Sequence, residues 1–154
     1  MNMPRTESEI SLALKNFGVV TEESVESFEE LLDEASDNRC ETLILPMMLS
    51  LDDECEFDAL MFSVIHRLEK FPLEAYLRVL AKNVQNVHTK APRWCAVLHT
   101  RIMNSSSAFA DYLEKLVLAE QISKDTVKEI LRKLSLKDQF RDRCLVGLEK
   151  LELM

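Results

Sequence analysis

Nucleophilic catalysis needs a Ser, Cys or Lys beside a base that a third group holds in place, and this chain offers few places to start. Its three histidines, His66, His88 and His99, stand apart from one another, and no GxSxG elbow occurs. Cys95 and His99, four residues apart, come nearest to a metal pair, but neither a helical HExxH nor a second cysteine pair accompanies them. Asp52, Asp53, Glu54, Glu56 and Asp58 crowd five carboxylates into seven residues. A calcium loop would place its oxygen ligands in alternation around a central glycine and end on a glutamate, and the glycine is missing. No catalytic group, cofactor or metal is expected. What the polar residues do offer is concentrated negative charge.

That charge is unevenly spread. The net charge of the chain is −8, yet residues 1 to 58 hold 16 Asp+Glu against 3 Lys+Arg, and residues 59 to 154 hold 11 against 16. One end of the sequence is therefore at −13 and the other at +5. An acidic pole disfavours nucleic acid or an anionic membrane as ligand and favours a basic partner. The basic run Lys124, Lys128, Arg132, Lys133 and Lys137 has no interleaved aromatics, as RNA binding would want, and reads as a solvated face.

The elements that carry these residues are helices. In Leu51 to Phe71 the acidic stretch runs into Phe57, Leu60, Met61, Val64, Ile65 and Leu68, whose offsets of 0, 3, 4, 7, 8 and 11 make a helical stripe. Before it, Thr6 and Glu9 form a capping box for a first helix that Gly18 ends. Thr21 caps a second helix, Glu22 to about Ser36, with Val25, Phe28, Leu32 and Ala35 inward. At 100° per residue, Glu22, Glu23, Glu26, Glu29, Glu30, Asp33 and Glu34 share the opposite arc, with no lysine or arginine among them. A solvated face is the plain reading of such a run. Its like-charge pairs four apart, however, each cost about 0.2 to 0.5 kcal/mol, and a merely solvated helix mixes its signs, so the arc is a candidate binding face.

Asp37 is expected to cap a third helix through Leu43 to Leu51, kinked at Pro46. Pro72 opens a fifth helix, through Leu73, Tyr76, Leu77, Leu80 and Ala81, and Pro92 a sixth with the stripe Trp94, Val97, Leu98, Arg101 and Ile102. Arg101 in such a stripe must find a carboxylate or carbonyls, so it and Trp94 are expected to hold the structure together. Ser106 or Ser107 caps a seventh helix and Ser123 an eighth; a ninth carries Phe140, Cys144, Leu148 and Leu151.

The chain has 154 residues, 47% hydrophobic and 30% charged, with only two glycines and four prolines. It reads as one all-α domain, residues 1 to 154, of about nine helices in antiparallel hairpins, stacked in a short HEAT-like curve. No signal peptide or membrane span is indicated. Cys40, Cys55, Cys95 and Cys144 form no CxxC pair and suit a reducing cytoplasm as small hydrophobes, while Met47, Met48 and Met61 read as core filler.

Two blocks, LPMMLSLDDECEFDALMFSVIHRLEKF (Leu45 to Phe71) and KAPRWCAVLHTRIMNS (Lys90 to Ser105), resemble the bacterial immunity proteins of immunity protein family 30. The shared features are the acidic turn Asp52 and Asp53; Met61, Phe62 and His66 with Glu69; Trp94 after Ala91 and Pro92; and the ending Arg101, Asn104 and Ser105. Met103 stands where a leucine is expected, and the similarity covers about residues 25 to 120. The resemblance implies a non-enzymatic inhibitor, cytoplasmic in the producing cell, that neutralises the C-terminal domain of one polymorphic or contact-dependent inhibition toxin, a nuclease. A monomer is expected outside that complex. A basic nuclease surface would complement the acidic residues Glu22, Glu26, Glu29, Glu30, Asp33, Asp52, Asp53, Glu54 and Glu56. The alternative is a helical-repeat adaptor that binds a regulatory protein or peptide.

Overall fold

The computed structural model describes residues 3–153. Among them lie nine α-helices and no strand: α1 Glu7–Asn16, α2 Val25–Asn38, α3 Ile44–Met48, α4 Asp58–Leu68, α5 Leu73–Lys90, α6 Pro92–Met103, α7 Ser106–Val117, α8 Gln121–Leu134 and α9 Asp138–Glu152. Single 3₁₀ turns at Glu22–Ser24 and Glu41–Leu43 precede α2 and α3. The fold class is all-α, as the 3.6-residue periodicity predicts. Contacts divide the chain into two compact units, Met1–Tyr76 and Leu77–Met154, and the division falls inside α5.

In the first unit α1 packs on α2 and α3 on α4, and the two hairpins layer through α1 on α3 and α2 on α4. Thr6 and Glu9 close a reciprocal capping box at the start of α1, the Thr6 hydroxyl accepting from the Glu9 N–H at 3.2 Å. Gly18, at φ 76°, takes the left-handed conformation just past α1 that ends a helix cheaply. Phe17 then meets Phe28 of α2 edge to face, with ring centroids 4.9 Å apart. Met47, Met48 and Met61 are wholly buried with Leu32, Ile44 and Ile65, each side chain contributing about 1.5 to 3 kcal/mol through burial.

Several boundaries in this unit differ from the sequence expectation. Glu22 and Glu23 lie in a 3₁₀ turn rather than in α2, which begins at Val25 and runs on to Asn38. Asp37 therefore sits inside α2 and caps nothing; the chain reverses instead at Arg39, whose φ of 64° is left-handed. Because α3 starts only at Ile44, Pro46 falls in its first turn, where a missing N–H breaks no helical bond.

In the second unit α6 packs on α7 and α8 on α9, and α7 touches both α8 and α9. Pro92 is the first residue of α6, as expected. Ser105 rather than Ser106 or Ser107 caps α7, accepting from the Ala108 N–H at 3.2 Å. Ser123 does not cap α8, which begins at Gln121; its buried hydroxyl donates to Gln85 Oε1 at 3.1 Å. Gly147 lets α9 approach α7 and α8 closely, since a Cβ there would lie 2.8 Å from Phe109 Cζ and 3.0 Å from Leu131 Cδ1.

Candidate protein-binding surface

The acidic arc of α2 is divided by its neighbours. Near its C-terminal end, Arg67 of α4 donates from Nε to Asp33 Oδ1 at 2.9 Å and approaches it with Nη2 at 2.8 Å, while its Nη1 donates to the Ser63 carbonyl. Arg5 donates from Nε to Glu34 Oε2 at 2.8 Å, and that bond holds the Glu34 carboxyl below the usual carboxylate range. Asp33 and Glu34 are thus tied to cations that the sequence pattern did not connect to them. The preceding part of the arc is different. Glu22, Glu23, Glu26 and Glu30 are exposed and Glu29 is half-buried, and no ion pair reaches any of the five among the described residues.

The acidic loop between α3 and α4 splits in the same way. Asp52 is half-buried and shapes the turn: its Oδ1 accepts from the Glu54 N–H at 2.9 Å, and its own N–H points at Met61 Sδ at 3.4 Å. Asp53 and Asp58 are engaged within the chain, whereas Glu54 and Glu56 are exposed. Of the nine expected partner-binding carboxylates, Glu22, Glu26, Glu29, Glu30, Glu54 and Glu56 keep the character of a charged surface; Asp33, Asp52 and Asp53 have internal work. Grouping by structure leaves the charge asymmetry intact, since residues 1–76 carry 18 Asp+Glu against 5 Lys+Arg, a net of −13, and residues 77–154 stand at +5.

Trp94 is 1% exposed, and the Arg93 guanidinium lies over its ring, 4.9 Å from the centroid. The inner stripe of α6 is turned by about one position from the expected one: Trp94, Cys95, Leu98, His99, Ile102 and Met103 are buried, and Val97 and Arg101 lie half-buried along its border. A guanidinium at the border keeps part of its hydration, which explains the turn. Arg101 is engaged within the chain.

His99 is a buried hydrogen-bonding residue, a role that its spacing from Cys95 alone does not announce. Its Nδ1–H donates to the Cys95 carbonyl at 2.7 Å, and its Nε2 accepts from the Tyr112 hydroxyl at 2.8 Å, so the ring is the neutral Nδ1–H tautomer. Burial lowers its pKa to about 4. Both ring nitrogens are occupied, so the Cys95 and His99 spacing serves a core hydrogen bond. The signal was the i, i+4 return of a polar ring to its own helix, beside the apolar stripe. No group of three or more metal-ligating side chains occurs among the described residues, and no helix is long and apolar enough to cross a membrane. All four cysteines are thiols, Cys95 and Cys144 buried, Cys40 and Cys55 half-buried.

Residues 15–112 fit the family described as Immunity protein 30, and the chain belongs to it. Membership gives toxin neutralisation as the general function. No curated protein and no solved structure is significantly similar to the chain.

Proposed function

We propose that the protein neutralises a single cognate toxin domain, a basic nuclease, by laying its acidic face over the toxin's active site or substrate groove. It does so without catalysis of its own, in the cytoplasm of a cell that carries a polymorphic or contact-dependent inhibition system. The observation that carries this reading is the run of carboxylates that no ion pair reaches among the described residues, Glu22 and Glu23 in the 3₁₀ turn and Glu26, Glu29 and Glu30 in the first half of α2. Repulsion among these carboxylates is left unrelieved among the described residues, and a basic partner would relieve it.

Opposed fields of this kind raise association rates to as much as about 10⁸ to 10⁹ M⁻¹s⁻¹ at low salt. Exposed charges alone rarely hold a complex at nanomolar affinity, about −12 kcal/mol, so an apolar contact must accompany them. Val19, 78% exposed in the turn that leads to Glu22, is an exposed apolar side chain close to these carboxylates in the sequence. The test is to co-express the C-terminal region of the toxin encoded beside this chain and score survival with and without it. Purified protein should capture that region and no chain encoded elsewhere; capture of an unrelated regulatory protein instead would favour an adaptor.

A further inference from the structure

The last helix carries a seam that nothing covers among the described residues. α9 turns Cys144, Gly147 and Leu151 into the core of the second unit. To one side, Arg141, Leu145, Leu148 and Glu152 recur at spacings of four, three and four, which at 100° per residue keeps them within an arc of about 60° and gives a short heptad seam. Leu145 is 51% exposed and Leu148 half-buried, and with Glu149, Glu152 and Leu153 they line an open groove of about 480 Å³. The matched family region ends at residue 112, within α7, so this seam lies outside it.

We propose that the seam binds a second copy of this chain, α9 against α9, antiparallel about a two-fold axis. The argument is one of register. An axis level with the midpoint of Val146 and Gly147 brings Leu145 opposite Leu148 of the second copy, and the same axis brings Arg141 opposite Glu152 of the second copy. Each contact occurs twice, so two leucine pairs are flanked by two opposite-charge pairs. A parallel pairing would oppose Arg141 to Arg141 and Glu152 to Glu152, and the end charges therefore select the antiparallel, self-complementary arrangement. Within one chain Arg141 pairs with Asp138 at 2.8 Å and donates from Nε to the Ser135 carbonyl at 3.4 Å, and Glu152 pairs with Arg132 at 3.5 Å; all are exposed contacts that a stronger arrangement can replace at little cost.

The contact is small. Four turns of helix offer roughly half of the ~800 Å² per partner that a stable interface buries, which places the dimer in the weak class, with a dissociation constant on the order of 10⁻⁴ M. The experiment is analytical ultracentrifugation of the full chain in reducing buffer, from micromolar to millimolar protein. The expected result is a mass that rises towards that of a dimer. Leu145→Asp, at an exposed site that leaves circular dichroism unchanged, should keep the chain monomeric. Arg141→Glu and Glu152→Arg should each weaken association about tenfold, and the two together in one chain should bring it back to within about twofold of the original, as the swapped charges again oppose. A chain that stays monomeric at millimolar concentration overturns the proposal, as does a dimer that survives Leu145→Asp or a double swap that fails to restore it. Loss of protection against the toxin on Leu145→Asp, in a chain that never dimerises, would give the seam to the toxin instead.

Discussion

His99 shows how much a single buried polar ring can govern. In the unfolded chain its pKa is the ordinary one near 6.5, and in the folded protein it is about 4, so folding favours the neutral ring. A depressed folded pKa means that the stabilisation is whole above about pH 6.5 and is lost as the pH falls through the window down to about 4. The loss should come to about 2 kcal/mol by pH 5, read as a falling urea midpoint, and His99→Gln should flatten that slope. Glu34 and Glu9, held below the usual carboxylate range by Arg5 and by the Thr6 N–H respectively, add losses of the same sign, but only at lower pH. Trp94 is the residue whose removal should cost most. Trp94→Ala is expected to remove about 3 to 5 kcal/mol of stability, measured by chemical denaturation, because its full volume becomes a cavity.

At the level of the helices, Gly147 and the caps decide how well the elements fit. Gly147→Ala would gain about 1 kcal/mol of helix propensity, yet its methyl group would meet Phe109 Cζ at 2.8 Å. Overpacking of about 1 to 3 kcal/mol should win, so the variant is expected to melt lower than the parent in a thermal scan. Periodicity made these helices legible: the stripe from Leu60 to Leu68 and the box at Thr6 and Glu9 are local patterns that tertiary structure had no reason to override. The turn at Arg39 was not legible, because left-handed backbone is written in glycine and asparagine and here an arginine adopts it. The tie between Arg67 and Asp33 was equally hidden, since 34 positions separate the two and no local spacing announces them. The acidic arc could be seen in the sequence, but only the neighbours of α2 show which of its carboxylates are already taken.

For the molecule as a whole, charge is the property that should set its kinetics. Reversing Glu26 and Glu30 to lysine is expected to slow association with the toxin at low salt, by roughly tenfold or more, and to weaken protection while the helical content stays the same. Association as fast as the parent's would make the arc a solvated surface and move the interface elsewhere. The lone tryptophan has a further use, because it turns the chain into its own reporter. Trp94 is the one indole in the sequence, and it lies among residues 77–154. Its emission therefore follows the melting of that part alone, while far-ultraviolet ellipticity follows every helix. Recording both during one urea titration asks whether residues 3–76 melt with the rest, with no label and no substitution. Superimposed curves are the expected outcome for a chain of this length that melts as a single cooperative body.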